Sequence, residues 1–324
     1  MANWKNGIAK LVIPTPFPVG DVNVYAVKGE KLTLVDAGPK TDEAWEALKS
    51  QLKELNLTPG DFEQVVLTHH HPDHAGLLDF FPDNLDLFGH RVNQRWLSRT
   101  DQFLKFHDEF YIKLFNEFGI PESYFSFINK MKKTLRYSCN RTLTGELEEG
   151  RQPEGLDDWT VMETPGHAQS HIGLFREKDG VFLGGDHLLA HISPNPILEP
   201  PLPGNTERPK PQIQYNESLK KLQQLPISLF YSGHGEDITN VNELINERLG
   251  RQHERAMKVK AWLESESLTV FEVCRRLFPK VYEKELSLTI SETVAQLDYL
   301  HSIGEIYINK EEEAFLYSAS KEVV

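Results

Sequence analysis

The sequence predicts an α/β fold, and three observations carry that prediction. Short apolar segments alternate with an amphipathic helix in the order strand, strand, helix, strand up to Thr68. Histidine and aspartate residues then recur just past such segments, each with glycine at or next to it or in a tight turn before it. With 324 residues the chain is long enough for about two domains, and its pattern turns helical after residue 240.

The elements follow in order. Leu11-Val12-Ile13 reads as a strand, broken by Pro14, Pro16 and Pro18. Val22 to Val27 and Leu32 to Val35 read as a hairpin around the Lys28-Gly29-Glu30-Lys31 turn, ending at Asp36-Ala37-Gly38. Trp45, Leu48, Leu52 and Leu55 share one helical face. Gln64 to Thr68 is a strand, and Thr68-His69-His70-His71-Pro72-Asp73-His74 follows it directly. Residues 91–140 read as a helical insertion, with Phe103, Phe106, Phe110, Tyr111, Phe115 and Phe118 at largely helical spacing and Phe125 and Phe127 after Pro121. Those aromatics either pack the insertion onto the main domain or form an apolar lid.

Strands resume at Trp159 to Met162, Ile172 to Phe175 and Val181 to Leu183. The prolines from Pro194 to Pro211 exclude regular helix or central strand and predict an ordered surface loop. Tyr215 to Leu225 is a helix and Ile227 to Tyr231 a strand. Val241 to Glu264, Thr269 to Leu277 and Ser287 to Ser302 are helices, followed by strands at Ile306-Tyr307-Ile308 and Ala314 to Tyr317. Three helices followed by a hairpin is a winged-helix pattern. The division is therefore 1–240, the α/β domain with its helical insertion, and 241–324, a winged-helix-like domain.

Composition narrows the function. No apolar run approaches the ~20 residues of a spanning helix, and the N-terminus shows no secretory pattern. Two distant cysteines, Cys139 and Cys274, argue against a disulfide framework and for the cytoplasm. A net charge of -13 disfavours nucleic acid as partner and leaves a small-molecule substrate as the first expectation. The 13 histidines are the informative excess.

In extended chain, side chains two apart share a face, so His69 and His71 can point at one metal. Asp73 and His74 can reach a second as the chain turns. Thr164-Pro165-Gly166-His167, Gly184-Gly185-Asp186 and Ser232-Gly233-His234-Gly235 bring further ligand types to strand ends. Imidazole with carboxylate suits Zn²⁺, Fe²⁺ or Mn²⁺. A single histidine after a strand is ordinarily a satisfied polar residue. Four ligand-type residues within six positions, joined by three more at strand ends, are too many for that reading and too many for one closed structural ion.

The order His69-x-His71-x-Asp73-His74, then His167, Asp186 and His234, resembles the metallo-β-lactamase superfamily over roughly residues 8–240. The resemblance implies an αββα sandwich. It implies two divalent metal ions: His69, His71 and His167 on the first, Asp73, His74 and His234 on the second, and Asp186 bridging them. Asp36 matches the family's acidic residue at the end of an early strand and reads as a partner behind a ligand histidine. With the C-terminal pattern, the chain resembles the branch that carries a winged helix, which includes endoribonucleases and acyl-carrier thioesterases.

A pair of ions roughly 3.5–4 Å apart would ionise water near pH 7 and polarise a carbonyl or phosphoryl oxygen, with Asp73 orienting the nucleophile or shuttling its proton. His187 and His191, just past Asp186, are candidate substrate contacts, with His171 a weaker one. His70 should point away from the ligands, and His90, His107, His253 and His301 read as packing or surface residues. The helix Ser287 to Ser302 holds Glu292 and Asp298 and no Lys or Arg. From Val281 on, the acids Glu283, Glu285, Glu292, Asp298, Glu305, Glu311, Glu312, Glu313 and Glu322 face only Lys284, Lys310 and Lys321. Phosphate contacts need positive charge, so a structural role fits that region. Arg248, Arg251, Arg255, Lys258 and Lys260 form a basic run, read as a solvated helix face or as a contact for a phosphate-bearing substrate. The leading expectation is ester or thioester hydrolysis, with a metal-dependent ribonuclease second and a non-catalytic metal sensor third. The complete ligand set argues against the third.

Overall fold

A computed structural model describes residues 2–311 and 314–320. Glu312, Glu313, Lys321 and Glu322 of the acidic C-terminal stretch lie outside the described residues. Two sheets form the centre. The first joins β1 (Ile8–Ile13), β2 (Val22–Val27), β3 (Thr33–Val35), β4 (Gln64–Leu67), β5 (Asp86–Gly89) and β6 (Gly145–Glu146) in that order. The second has the order β10 (Leu229–Tyr231), β9 (Val181–Leu183), β8 (Ile172–Arg176), β7 (Thr160–Glu163). β1 to β3 pair antiparallel, while β3 to β6 run parallel. β10 is parallel to β9, and β7 to β9 are antiparallel.

Side-chain alternation explains the layers. On β2, Tyr25 and Val27 face the second sheet and pack with Val161, Ile172, Leu174 and Leu183. Val24 and Ala26 face the other way and meet Leu48 and Leu52 of α1 (Asp42–Glu54). Thr41 caps that helix by accepting the Ala44 N–H, and its apolar stripe is the one the sequence spacing predicts. The outer face of the second sheet, Phe182 and Phe230 among it, packs on Tyr215 and Leu219 of α6 (Pro211–Leu222) and on Leu244 and Ile245 of α7 (Val241–Leu263). Helix, sheet, sheet, helix is thus the observed layering.

Between β4 and β5 stands the short α2 (Pro72–Ala75), and between β5 and β6 the insertion of α3 (Asn93–Ser98), α4 (Asp101–Glu117) and α5 (Ser126–Thr134). α8 (Val270–Leu277), α9 (Leu286–Ser302) and the antiparallel ribbon β11 (Ile306–Glu311) and β12 (Ala314–Ala319) close the chain. Tyr111, Phe115, Phe118 and Phe127 of the insertion share one apolar core with Val259, Phe271, Ile290 and Leu297. The aromatics therefore pack chiefly against the C-terminal helices, while Phe106 stays exposed. β5 and β6 escaped the sequence pattern because each is short. α6 begins four residues before the expected Tyr215, since Pro211 occupies its first turn, where proline lacks no needed N–H.

The proline-rich loop is a surface loop only in its second half, where residues 203–207 are exposed; its first half runs inside. Pro194, Pro196 and residues 198–201 are buried. Their carbonyls find donors inside: Tyr111 Oη donates to Leu198 O at 2.5 Å, and Arg95 donates to Pro200 O and Pro201 O at 2.9 Å each. Proline has no N–H to satisfy, so such a strand-like segment can be buried once its acceptors are met.

Candidate metal centre

The ligand-type residues all follow the C-terminal ends of strands: Asp36 after β3, the His69 to His74 run after β4, His167 after β7, Asp186 after β9 and His234 after β10. Backbone bonds lace these ends together. Ile172 N–H donates to Thr68 O at 2.8 Å, Gly233 N–H to Gly185 O at 2.6 Å, Asn23 N–H to Gly233 O at 2.6 Å, and Ala37 N–H to His74 O at 2.7 Å. The two sheets are joined at the very edge where the side chains converge.

Three histidine nitrogens meet first. His71 Nδ1 lies 3.0 Å from both His69 Nε2 and His167 Nε2. The other nitrogens of His69 and His167 are anchored. Thr68 Oγ1 donates to Asp36 Oδ2 at 2.8 Å and so accepts from His69 Nδ1 at 3.0 Å. His167 Nδ1 donates to Asn195 O at 2.8 Å. Each anchored Nδ1–H leaves a lone pair on Nε2, pointed at the common centre. Burial, then the neighbouring rings, holds His69 and His71 well below the ordinary histidine range. Burial lowers His167 too. All three are neutral at pH 7, the form that ligates a cation.

The second half is richer in carboxylate. His74 Nδ1 donates to Asp36 Oδ2 at 2.8 Å, and its Nε2 lies 3.4 Å from Asp186 Oδ1. His234 Nδ1 donates to Asp21 O at 2.8 Å, and its Nε2 lies 3.3 Å from Asp73 Oδ2 and 3.4 Å from Asp186 Oδ2. Asp186 Oδ2 is also 3.6 Å from His167 Nε2, so this carboxylate touches both halves. Burial pulls His74 down, but Asp186, Asp36 and Asp73 together hold it well above the ordinary value. Likewise burial opposes His234, while Asp186 and Asp73 raise it to about 10. Burial raises Asp186, and the two rings overcome that and hold it well below the carboxylate range.

The donor set fits a pair of cations. His69, His71 and His167 form one group whose ligand atoms all lie within 4.8 Å of one another, as do Asp73, His74 and His234, and His69, His74 and Asp186. His74 Nε2, His234 Nε2 and Asp186 Oδ1 are buried with no hydrogen-bond partner, which is costly unless something else engages them. Gly233 keeps the space open: a Cβ there would stand 2.1 Å from Asp186 Oδ1 and 3.0 Å from His74 Cε1. Gly185, at φ +47, takes a left-handed conformation that turns Asp186 into the site.

All seven expected ligands and Asp36 are brought together. Asp36 itself adopts φ +61, which aspartate tolerates better than most residues, and accepts the Thr68 N–H at 2.8 Å. His70 points away, hydrogen-bonded to Ser170 Oγ at 2.9 Å and stacked on Trp96 at 4.5 Å. His187 is fully buried against Tyr215 and His171, its pKa lowered to about 3 by burial, so it is a packing residue rather than a substrate contact. His191 is exposed, 3.7 Å from Glu236.

Two residues earn more than the sequence suggested. His171 Nε2 accepts the Asp186 N–H at 3.2 Å, which leaves Nδ1 to donate to Thr164 Oγ1 at 2.8 Å. It props the Asp186 turn from behind. Glu199 is buried inside the proline-rich loop, accepts the Gln169 N–H at 3.0 Å and lies 3.7 Å from Arg95. Its only sequence signal is a lone acid among prolines and apolar residues. Cys139 and Cys274 are both buried and unpaired, and no helix among the described residues is long and apolar enough to cross a membrane.

Comparison with known proteins agrees with this geometry. The profile described as "Metallo-beta-lactamase superfamily" matches residues 17–234. A Bacillus subtilis (strain 168) protein named "Probable metallo-hydrolase YqjP" is 49% identical over 290 residues, covering 90% of this chain and 91% of that one. The crystal structure of a metallo-beta-lactamase family protein from Thermus thermophilus superposes with a TM-score of 0.79 at 29% identity, covering 98% of this chain and 99% of that one. A more distant relative, an "Atrochrysone carboxyl ACP thioesterase" of Aspergillus fumigatus (strain ATCC MYA-4609 / CBS 101355 / FGSC A1100 / Af293), is 26% identical over 102 residues, 32% of this chain and 28% of that one. The site geometry, the family match and the relative at 49% identity together place this chain in the metallo-β-lactamase superfamily, as a metallo-hydrolase.

Proposed function

We propose that the protein hydrolyses a thioester or ester with two divalent cations, Zn²⁺ foremost. His69, His71 and His167 hold one, Asp73, His74 and His234 the other, and Asp186 reaches both. The carrying observation is that Asp186 stands 3.4 Å or 3.6 Å from nitrogens of His74, His234 and His167 alike. Cations held there supply ionisation of water near pH 7 and polarisation of a carbonyl oxygen.

The chain's own residues do the rest. Asp36, Asn195 O, Asp21 O and Thr68 fix ring orientation through the Nδ1 atoms. Asp73, its side chain 11% exposed, positions the attacking water and accepts a proton at its carboxylate. Thioesters are favoured because the distant fungal relative is named for one. The three helices and ribbon of residues 241–320 are read as winged-helix-like and structural. α9 is buried over most of its length, and its acids Glu292 and Asp298 are engaged by Arg255 and Arg208. A helix so occupied has no free face for a nucleic-acid groove. The two buried thiols fit a reducing cytoplasm.

The test is a turnover screen of thioesters, lactones, phosphodiesters and structured RNA with wild type and Asp73→Ala. Thioester or ester hydrolysis lost in Asp73→Ala is expected. RNA cleavage lost in Asp73→Ala, without ester or thioester turnover, would reverse the reading.

A further inference from the structure

A cavity of about 130 Å³ lies between α6, α7, α9 and the loop that follows Asp186. Its wall is polar, buried at Gln212, Tyr215, Asn216, Arg248 and Gln252 and open to solvent at His191, Ser193 and Arg251. Gln212 Nε2 donates to Asn216 Oδ1 at 2.8 Å, Asn216 Nδ2 to Gln252 Oε1 at 3.1 Å, Gln252 Nε2 to Gln296 Oε1 at 3.2 Å, and Gln296 Nε2 to Glu292 Oε1 at 3.0 Å. A junction between helices is filled more simply by apolar side chains, so a buried amide chain lining open space is a built polar surface.

Three guanidinium groups line the same cavity. Arg255 pairs with Glu292, and Arg251 Nη2 lies 2.9 Å from Glu247 Oε1. Arg248 is only 6% exposed, yet its Nε is buried without a hydrogen-bond partner. Its Nη2 donates to Leu189 O at 3.1 Å and Ala190 O at 3.0 Å, and Glu247, already engaged by Arg251, is 3.7 Å away. Positive charge at the cavity thus exceeds what the two carboxylates answer. Guanidinium forks match phosphate oxygens in geometry as well as charge. The cavity also borders the loop that leads from Asp186 to His167's partner: Arg248 holds residues 189 and 190, Ser193 lines the wall, and Asn195 O holds His167.

We propose that this cavity binds a phosphate monoester, the phosphate-bearing nucleotide end of the carrier in an acyl thioester substrate. The carrier part rests on the thioester reading above; the phosphate site does not.

The test is calorimetric titration of metal-loaded protein with inorganic phosphate, with adenosine 3′,5′-bisphosphate and with a short single-stranded RNA. Each is repeated on the Arg251→Gln/Arg255→Gln double variant, and on Asp186→Ala to exclude phosphate held by the metal centre. The expected result is bisphosphate binding that the double variant weakens tenfold or more and Asp186→Ala preserves. Should the double variant misfold, Arg251→Gln alone, at a side chain 66% exposed, keeps the comparison. Equal binding by wild type and arginine variants would overturn the site. Inorganic phosphate binding as tightly as bisphosphate would assign it to free phosphate and overturn the carrier. RNA binding without bisphosphate binding would overturn both. Arginine-dependent bisphosphate binding by a protein that turns over no thioester would sink the thioester reading and leave the phosphate site standing. Thioester turnover with arginine-independent binding would do the opposite.

Discussion

Asp36 Oδ2 lies 2.8 Å from His74 Nδ1, and this bond leaves the opposite nitrogen of the ring facing Asp186 at 3.4 Å. The same carboxylate takes the Thr68 N–H and hydroxyl, and Thr68 in turn anchors His69. One residue therefore orients a histidine in each half of the centre. Asp36→Asn keeps the left-handed backbone but cannot accept at both oxygens. It should weaken metal binding about 10–100-fold, as loss of such partners does elsewhere. Competition with a chromogenic chelator reads the change; unchanged affinity would show that Asp36 is not an orienting partner.

Gly233→Ala tests the space beside the Asp186 carboxylate. The added Cβ would stand 2.1 Å from Asp186 Oδ1, so Asp186 must move. Displacement of a reacting group by about 1 Å costs on the order of a hundredfold in rate. Turnover should fall by about that factor while circular dichroism stays native.

Metal binding should release protons. Asp186 and Asp73 hold His234 at about 10, and with Asp36 they hold His74 well above the ordinary value, so both rings carry protons at pH 7 before a metal arrives. A ligating imidazole must be neutral, so a cation displaces those protons and its affinity weakens as pH falls. Zinc titrations in buffers of different ionisation enthalpy should give about two to three protons released per chain at pH 7, two from the rings and the rest from water ionised by the cations. No release would contradict the charge state assigned to this half.

Glu199 gives a stability signature. Burial raises its carboxyl from 4.5 to about 7, against the pull of Arg95 and Gln169. Between those values the folded protein keeps a proton that the unfolded chain has lost. Stability is therefore full below about pH 4.5, falls as pH rises to about 7, and levels off above it, a loss of roughly 3 kcal/mol from this group at most. Glu199→Gln should flatten that slope in denaturant melts run across the window.

Much of the centre was legible because ligand chemistry sits in short sequence runs. His69, His71, Asp73 and His74 occupy one turn after β4, and the other three candidate ligands each follow a strand within a few residues. Asp36 was legible by resemblance. The supports were not: Asn195 and Asp21 act through backbone carbonyls, which no side-chain pattern reveals. Glu199 and the buried loop around it depend on Arg95 and Tyr111, about 90–105 residues away in sequence. The insertion's helical spacing was correct, but its partner, the C-terminal helices, is a tertiary fact that periodicity does not carry. The basic run on α7 read as a solvated face or a phosphate contact; Arg251 and Lys258 are indeed exposed, but Arg248 is buried and Arg255 paired, which spacing alone does not show.

Metal stoichiometry is the most direct measurement. Protein loaded with zinc and freed of excess should carry about two ions per chain by elemental analysis, and Asp186→Ala should lose most of that content together with turnover. Wild-type protein that takes up no transition metal, or Asp186→Ala protein with full metal and undiminished turnover, would contradict a paired-cation centre bridged by Asp186.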